Sequence, residues 1–145
     1  MEILIKNLNK LLADLNVFYR KLQNYHWNVK GNDFFVIHPK LEEYYNEINE
    51  EIDEIAEHIL VLKGEPLGTL KDYINTTSIE EAENKKIESI EILKQLEKDF
   101  NLLLKDVKQI KEKSEEINEH RTSTMMDELI DSYSEKIWMI SQTIL

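Results

Sequence analysis

The sequence is poor in residues that cross-link or interrupt a fold. It contains no cysteine, three glycines and two prolines among 145 residues. Without cysteine there are no disulfides, thiolate nucleophiles or zinc–thiolate sites, so any metal site must use nitrogen and oxygen ligands. The scarcity of glycine and proline leaves long uninterrupted stretches, which favours long helices.

Long apolar runs are also missing. No run approaches the roughly 18 residues that a membrane-spanning helix needs, and the first residues lack the basic start and apolar segment of a signal peptide. We therefore expect a cytoplasmic protein with no membrane partner. With 41% hydrophobic and 32% charged residues, we expect residues 1–145 to form one domain.

Positive charge is scarce as well. Lys and Arg number 18 against 29 Asp and Glu, which gives a net charge of -11 at pH 7. Such a surface repels the phosphates of nucleic acids and anionic lipids, and it concentrates cations. Small cations are therefore favoured as partners.

Apolar residues recur at helical spacing in four stretches. These run from Leu4 to Tyr25, from Leu41 to Leu62, from Ile87 to Ile110 and from Met126 to Ile144. Pro39 falls in the first turn of the second helix, where proline is tolerated. A long connection from Gly64 to Ser78 follows, with a short helix predicted around Leu70 to Ile74. Four amphipathic helices with one long crossover predict an all-α fold, a ferritin-like four-helix bundle.

Two histidines and a carboxylate pair stand out by their spacing. His26 lies at the end of the first helix, His38 at the start of the second, and Asp53 and Glu57 lie one turn apart on the second. Imidazole nitrogen with carboxylate oxygen is a ligand set that suits iron, zinc or manganese. Neither Glu-x-x-His nor His-Glu-x-x-His occurs, which argues against an ordinary di-iron bundle and a zincin-type hydrolase.

These four residues cannot form one site within one chain. His38 and Asp53 lie 15 residues apart on one helix, which is roughly 22 Å along its axis. A shared site therefore requires histidines and carboxylates from different subunits. A two-fold, antiparallel pairing of helices supplies this, since residue i meets j and j meets i.

Several motifs together resemble the Dps miniferritins, which oxidise and store iron. The resemblance rests on residues 24–31 (NYHWNVKG), Phe34-Phe35 with His38, Glu42-Glu43, residues 53–57 (DEIAE), residues 64–69 (GEPLGT) and residues 137–139 (IWM). It spans nearly the whole chain. We expect no Lys/Arg-rich tail, because helical patterns begin near Glu2 and continue almost to Leu145, so the chain resembles the acidic, tail-less branch with neutrophil-activating-protein-like members.

The resemblance implies a hollow dodecamer with ferroxidase sites at its two-fold interfaces. His26 and His38 of one subunit would join Asp53 and Glu57 of its neighbour, and Glu42 would add a carboxylate. The family pattern also implies that Trp27 takes up oxidising equivalents. The substrates would be Fe²⁺ and, preferably, hydrogen peroxide, with zinc as a substitute occupant of the site and DNA protected from oxidative damage.

Two further acidic sets match regions to which the family assigns iron handling. The set that would face the cavity and nucleate mineral comprises Glu43, Glu47, Glu50 and Glu54; the set that would line three-fold pores comprises Glu119, Asp127, Glu128 and Asp131. A solvated helix face is the simpler interpretation of each set. The simplest interpretation of Trp27 and Trp138 is packing.

Two other functions stay open on the same scaffold. One is a nucleoid protein that binds DNA directly, which the net charge and the expected lack of a basic tail disfavour. The other is a non-catalytic protein that interacts with host cells, a role associated with the acidic branch of the family. The sequence alone does not separate this second role from iron storage.

Overall fold

A computed structural model describes all residues from 1 to 145. The elements in chain order are α1 (Glu2–Asn28), β1 (Val29–Lys30), α2 (Phe34–Val61), α3 (Leu70–Thr76), β2 (Ile87–Glu88), α4 (Ser89–Glu116) and α5 (His120–Ile144). Four long helices and a short one in the crossover confirm the all-α bundle predicted from the apolar spacing. No helix is long and apolar enough to cross a membrane.

The long helices form two antiparallel hairpins. α1 joins α2 through a turn at Gly31, whose φ of 140° lies in a region that favours glycine, and α4 joins α5 through Asn118 at φ 59°. The hairpins pack through α1 and α4, where the rings of Phe18 and Phe100 meet edge to face at 5.0 Å. A cluster of 26 buried hydrophobic residues fills the space between the helices.

The crossover between the hairpins is anchored to α1. Asn9 Oδ1 accepts a hydrogen bond from Leu67 N at 2.9 Å, and Asp14 Oδ1 accepts from Thr77 Oγ1 at 2.7 Å and from Ser78 N at 2.8 Å. Thr69 caps α3 by accepting from Asp72 N at 3.1 Å. The crossover is therefore fixed along the bundle.

Three details differ from the sequence-based expectations. α2 begins at Phe34, so Pro39 lies one turn deeper in the helix than predicted. Val29 and Ile87 are paired in a parallel two-residue ladder that no pattern indicated. Trp27 and Trp138, which we expected to pack, are 55% and 61% exposed in the single chain.

Candidate metal centre

The α1–α2 turn brings His26 and His38 together. Their rings stack with centroids 3.7 Å apart and planes 10° from parallel, and the ring of Phe34 stacks on the other face of His38 at 4.7 Å. His26 is 7% exposed. Two imidazoles from opposite sides of a turn therefore share one rigid aromatic stack.

Each histidine is oriented by the backbone of the other. His26 Nδ1 lies 2.6 Å from the His38 carbonyl oxygen, and His38 Nδ1 lies 2.7 Å from the His26 carbonyl oxygen. A carbonyl only accepts hydrogen bonds, so each Nδ1 must carry the proton and donate it. This tautomer leaves both Nε2 lone pairs free to bind a cation, as is usual for metal-binding histidines.

A carboxylate lies beside this pair. Glu42, one turn after His38, places Oε1 at 3.6 Å from His26 Nε2. Tyr45 Oη donates to the same Oε1 at 3.4 Å, and burial together with the Glu42 charge raises the pKa of the Tyr45 phenol. A carboxylate oxygen and an imidazole lone pair repel each other, so a proton or a cation between them is favourable.

Asp53 and Glu57 lie elsewhere on the chain. Both are exposed near the far end of α2, and Asp53 is eleven residues beyond Glu42, roughly 16 Å along the helix axis. No group of three or more His, Cys, Asp or Glu side chains in the chain is close enough to hold a metal ion. Within one chain, His26 stacks on His38 and lies 3.6 Å from Glu42 without completing a metal site, and Asp53 and Glu57 are apart from all three.

Known proteins share this architecture. The Ferritin-like domain family matches residues 5–144. The DNA protection during starvation protein 2 of Bacillus anthracis is 37% identical over 137 residues, which cover 94% of this chain and 92% of that relative. The chain belongs to the Dps family of ferritin-like proteins.

Solved Dps structures agree with the fold. The crystal structure of Dps from Staphylococcus aureus matches with a TM-score of 0.96 and 32% identity, over 100% of this chain and 97% of that one. A Dps from Vibrio cholerae O1, described as a member of a broad superfamily of ferritin-like diiron-carboxylate proteins, matches with a TM-score of 0.95 and 33% identity. That match covers 99% of this chain and 90% of the other. The predicted ferritin-like bundle and the Dps resemblance are confirmed.

Trp27 follows His26 directly in the last turn of α1. It lines a cavity of about 520 Å³ between α1, α3 and residues 81–84. Leu70 and Ile74 of α3 line the same cavity and are 81% and 50% exposed. Trp27, Leu70 and Ile74 therefore lie outside the hydrophobic core. The expectation that Trp27 packs was wrong for the single chain.

The two acidic sets overlap in space. Glu43 and Glu47 of the nucleation set share a concavity of about 360 Å³ with Glu128 and Asp131 of the pore set, between α2 and α5. Lys136 lies in the same concavity and pairs with Glu47 at 2.8 Å. Glu50 and Glu54 are exposed on α2 outside it.

The remaining pore candidates have partners within the chain. Glu119 Oε2 accepts from Thr122 N at 2.7 Å at the start of α5, which makes it a helix cap, and Asp127 Oδ1 lies 2.7 Å from Lys111 Nζ. Glu128 and Asp131 have no ion pair. A helix cap and an ion pair between α4 and α5 therefore account for half of this set.

Sequence reasoning missed Tyr45 and Phe34 as neighbours of the site. Tyr45 follows Glu42 by three residues, so helical spacing alone puts the two side chains on adjacent positions. Phe34 stands with His38 in one of the motifs named above, but the stacking of its ring on His38 follows only from the turn geometry.

Proposed function

We propose that this Dps protein is a ferroxidase and iron store, with Fe²⁺ and hydrogen peroxide as substrates. The observation that carries the proposal is the reciprocal histidine pair. Both Nε2 lone pairs are free, and Glu42 Oε1 lies 3.6 Å from one of them. Such a half-site of nitrogen and oxygen ligands suits Fe²⁺, and it also suits zinc as a substitute occupant.

The periodicity of α2 supports completion of the site by a second subunit. One exposed face of the helix carries Phe35, Glu42, Asn46, Asn49, Asp53, Glu57 and Leu60, which follow each other at intervals of three, four or seven residues. Phe35 is 89% exposed and Leu60 is 59% exposed. A large apolar side chain at each end of an exposed polar face favours burial against another molecule.

An antiparallel pairing of two such faces gives the required register. If Asn46 lies opposite Asn49 of a second copy, positions whose numbers sum to 95 lie at equal heights along the paired helices. His38 is then level with Glu57, and Glu42 is level with Asp53. The same register sets Phe35 opposite Leu60, so the apolar and the ligand positions agree on one arrangement.

The ligand set accounts for oxidation followed by release. Imidazole nitrogen favours Fe²⁺, while carboxylate oxygen also accepts Fe³⁺. Two Fe²⁺ each give one electron to hydrogen peroxide, whose O–O bond breaks to leave two hydroxide ions and two Fe³⁺. The carboxylates of the nucleation set on α2, Glu43 and Glu47 with Glu50 and Glu54, would then gather ferric ions.

Storage requires a closed shell, and we propose a dodecamer with mineral inside. A two-fold interface alone gives a dimer, so further contacts must close the assembly. We assign Glu128 and Asp131 to the cation entry path, since Glu119 and Asp127 are already paired within the chain. DNA is protected by removal of Fe²⁺ and peroxide.

The test is anaerobic loading with Fe²⁺ followed by peroxide, with iron oxidation recorded optically. His26→Ala and Asp53→Ala should each abolish the rapid phase, because each removes a ligand from one half of the site. Glu112→Ala, which removes an exposed acid from α4, is the control for the loss of one charge. Rapid oxidation in either ligand variant contradicts the proposal.

Mixed assemblies test whether two chains share the site. Co-assembled His26→Ala and Asp53→Ala subunits should recover about one site in four, because some interfaces pair the two intact halves. Confirmed mixed shells with no recovery would show that the ligands do not come from different chains.

A further inference from the structure

A layer of buried polar side chains crosses the bundle near the middle of its helices. Asp14 of α1 and Tyr133 of α5 are 0% exposed, and Asp106 of α4 is 8% exposed. Aspartates are almost never buried this deeply unless a cation or hydrogen bonds compensate for the loss of water. The stability of this layer therefore depends on what faces its two carboxyl groups.

Two buried oxygens of this layer lack a donor. Asp106 Oδ2 accepts no hydrogen bond, and Tyr133 Oη has no hydrogen-bond partner. Burial, followed by the charges of Glu51 and Asp106, holds the pKa of Tyr133 well above its usual value, so both acids are near its hydroxyl. Buried polar atoms are nearly always hydrogen-bonded. Two such oxygens from neighbouring helices therefore mark a position that favours a cation.

Lys10 supplies the ammonium group that faces both aspartates. Its Nζ contacts Asp14 Oδ2 and lies 3.4 Å from Asp106 Oδ1, and no other basic side chain pairs with either carboxyl group. Asp14 Oδ1 accepts from Thr77 and Ser78 of the crossover, so Oδ2 is the oxygen left for a cation. The Lys10 side chain is 30% exposed, and it therefore reaches the pair from the surface of the bundle.

The positive charges at this pair equal the charge of one divalent ion. Burial and the Asp14 carboxylate raise the pKa of Asp106 to about 8, so Asp106 keeps its proton at pH 7. That proton and the Lys10 ammonium together neutralise the two carboxylates. Ferritin-like di-iron bundles neutralise inward carboxylates from facing helices with metal ions instead. In this chain, an ammonium group and a proton replace the metal at this pair.

We infer that Lys10 is the resident cation of an internal carboxylate site and keeps divalent metal ions out of the bundle. Without the ammonium group, Asp14, Asp106 and Tyr133 offer oxygen donors from three helices. Oxygen donors of this kind suit Mn²⁺. A divalent ion that takes the place of the ammonium also displaces the Asp106 proton to solvent, because its two charges neutralise both carboxylates.

A purely structural ion pair is the other interpretation of Lys10. Removal of one partner from a buried ion pair destabilises a fold, because it leaves a buried charge without compensation. On that interpretation, the loss of Lys10 lowers stability and metal ions do not restore it. The two interpretations therefore differ in metal binding.

The test measures Mn²⁺ binding in a chain that lacks the proposed two-chain site. In the His26→Ala, Asp53→Ala background, Lys10→Ala removes the ammonium group, and Lys6→Ala, the control, removes an exposed lysine one turn away. Electron paramagnetic resonance of free Mn²⁺ reports how much is bound. Lys10→Ala should bind an additional Mn²⁺ several-fold more tightly than Lys6→Ala does, and it should release about one proton per ion at pH 7.

Further variants locate the additional ion. Asp106→Asn added to Lys10→Ala should abolish the additional Mn²⁺, because it removes one of the two carboxylates. Lys10→Arg keeps a cation at this position and should exclude Mn²⁺ as Lys6→Ala does. If Lys10→Ala does not fold without metal, Mn²⁺ should restore the helical circular dichroism of the parent.

Three results would overturn the inference. One is a folded Lys10→Ala chain that binds no more Mn²⁺ than Lys6→Ala, and another is additional Mn²⁺ that survives Asp106→Asn. The third is a Lys10→Ala chain that stays unfolded in saturating Mn²⁺. The proposed ferroxidase function is not at stake in any of them, because binding is measured without the two-chain ligands and without peroxide.

Discussion

At the scale of single residues, Asp106 and Asp14 form a buried acid pair between α4 and α1. Lys10 Nζ contacts the Asp14 carboxylate and lies 3.4 Å from Asp106 Oδ1, so one ammonium group faces two carboxyl groups. Burial and the neighbouring Asp14 raise the pKa of Asp106 to about 8. Against the effect of burial, hydrogen bonds from Asp106, Lys10, Thr77 and Ser78 lower the pKa of Asp14. The two carboxyl groups therefore share one proton near neutral pH.

This pair makes the stability of the fold depend on pH. The folded chain holds the Asp106 proton more tightly than the unfolded chain, so the free energy of unfolding should fall as pH rises from about 4 to about 8. Asp106→Asn keeps a donor to Asp14 and removes the titration, so it should be more stable than the parent at pH 8 by on the order of 1 kcal/mol. Urea unfolding at one fixed protein concentration, repeated across this pH range, measures the effect. An equally steep decline in the variant would contradict it.

At the scale of elements, helical periodicity predicted the fold well. Residues such as Leu8, Leu12 and Leu103 are buried within the single chain. Apolar residues that recur every 3.6 positions lie on one face of a helix, and that face packs in the core. The β1–β2 ladder was not predictable, because two residues carry no period. The start of α2 was missed because the helix begins in the aromatic pair at Phe34, which can belong to a helix or a turn.

The sequence predicted that His26 and His38 come together, but it did not predict the geometry of their contact. Sequence spacing indicated that a turn brings His26 near His38. The reciprocal hydrogen bonds depend on the backbone path at Gly31, which fixes how the two helix ends face each other. The exposure of Trp27 was missed because tryptophan tends to be buried, but this tendency does not distinguish burial within the same chain from burial against another molecule.

The proposed antiparallel pairing of α2 with α2 of a second subunit is open to a direct test, since the chain has no native cysteine. In the double variant Phe35→Cys, Leu60→Cys, each introduced thiol should lie beside the other kind in the partner subunit, within disulfide reach. Oxidation should convert most of the chain to a covalent dimer on a non-reducing gel. Val36→Cys, Leu60→Cys is the control, because position 36 is rotated by about 100° from position 35. Equal cross-linking in both variants would reject the register.

At the scale of the whole molecule, the net charge favours protection of DNA by removal of Fe²⁺ and peroxide over protection by direct binding to the duplex. At -11 per chain, the protein repels phosphate, and it lacks the excess of Lys and Arg from which counterion release draws binding energy.

Protection against Fe²⁺ and peroxide should therefore persist at salt concentrations that abolish nonspecific DNA binding. It should vanish in the Asp53→Ala, Glu57→Ala variant, because that variant loses the carboxylate half of the proposed two-chain site. Plasmid nicking measured beside gel retardation over a salt series tests both points. Protection that follows retardation, or that survives in the variant, would favour physical shielding.

The connection between the two helical hairpins can be cut without removing the contacts that hold the hairpins together. Residues 83–86, including Lys85 and Lys86, form an exposed stretch between α3 and β2, whereas α1 and α4 hold the hairpins together through Phe18–Phe100 and through the buried Lys21–Asp99 ion pair at 2.8 Å. Exposed connections of this kind are preferred sites of proteolysis. Brief trypsin treatment should cut there first and yield two fragments that separate in denaturant and migrate together without it. The cut protein should still show the proposed ferroxidase activity, because all five proposed ligands, His26, His38, Glu42, Asp53 and Glu57, lie in the amino-terminal piece.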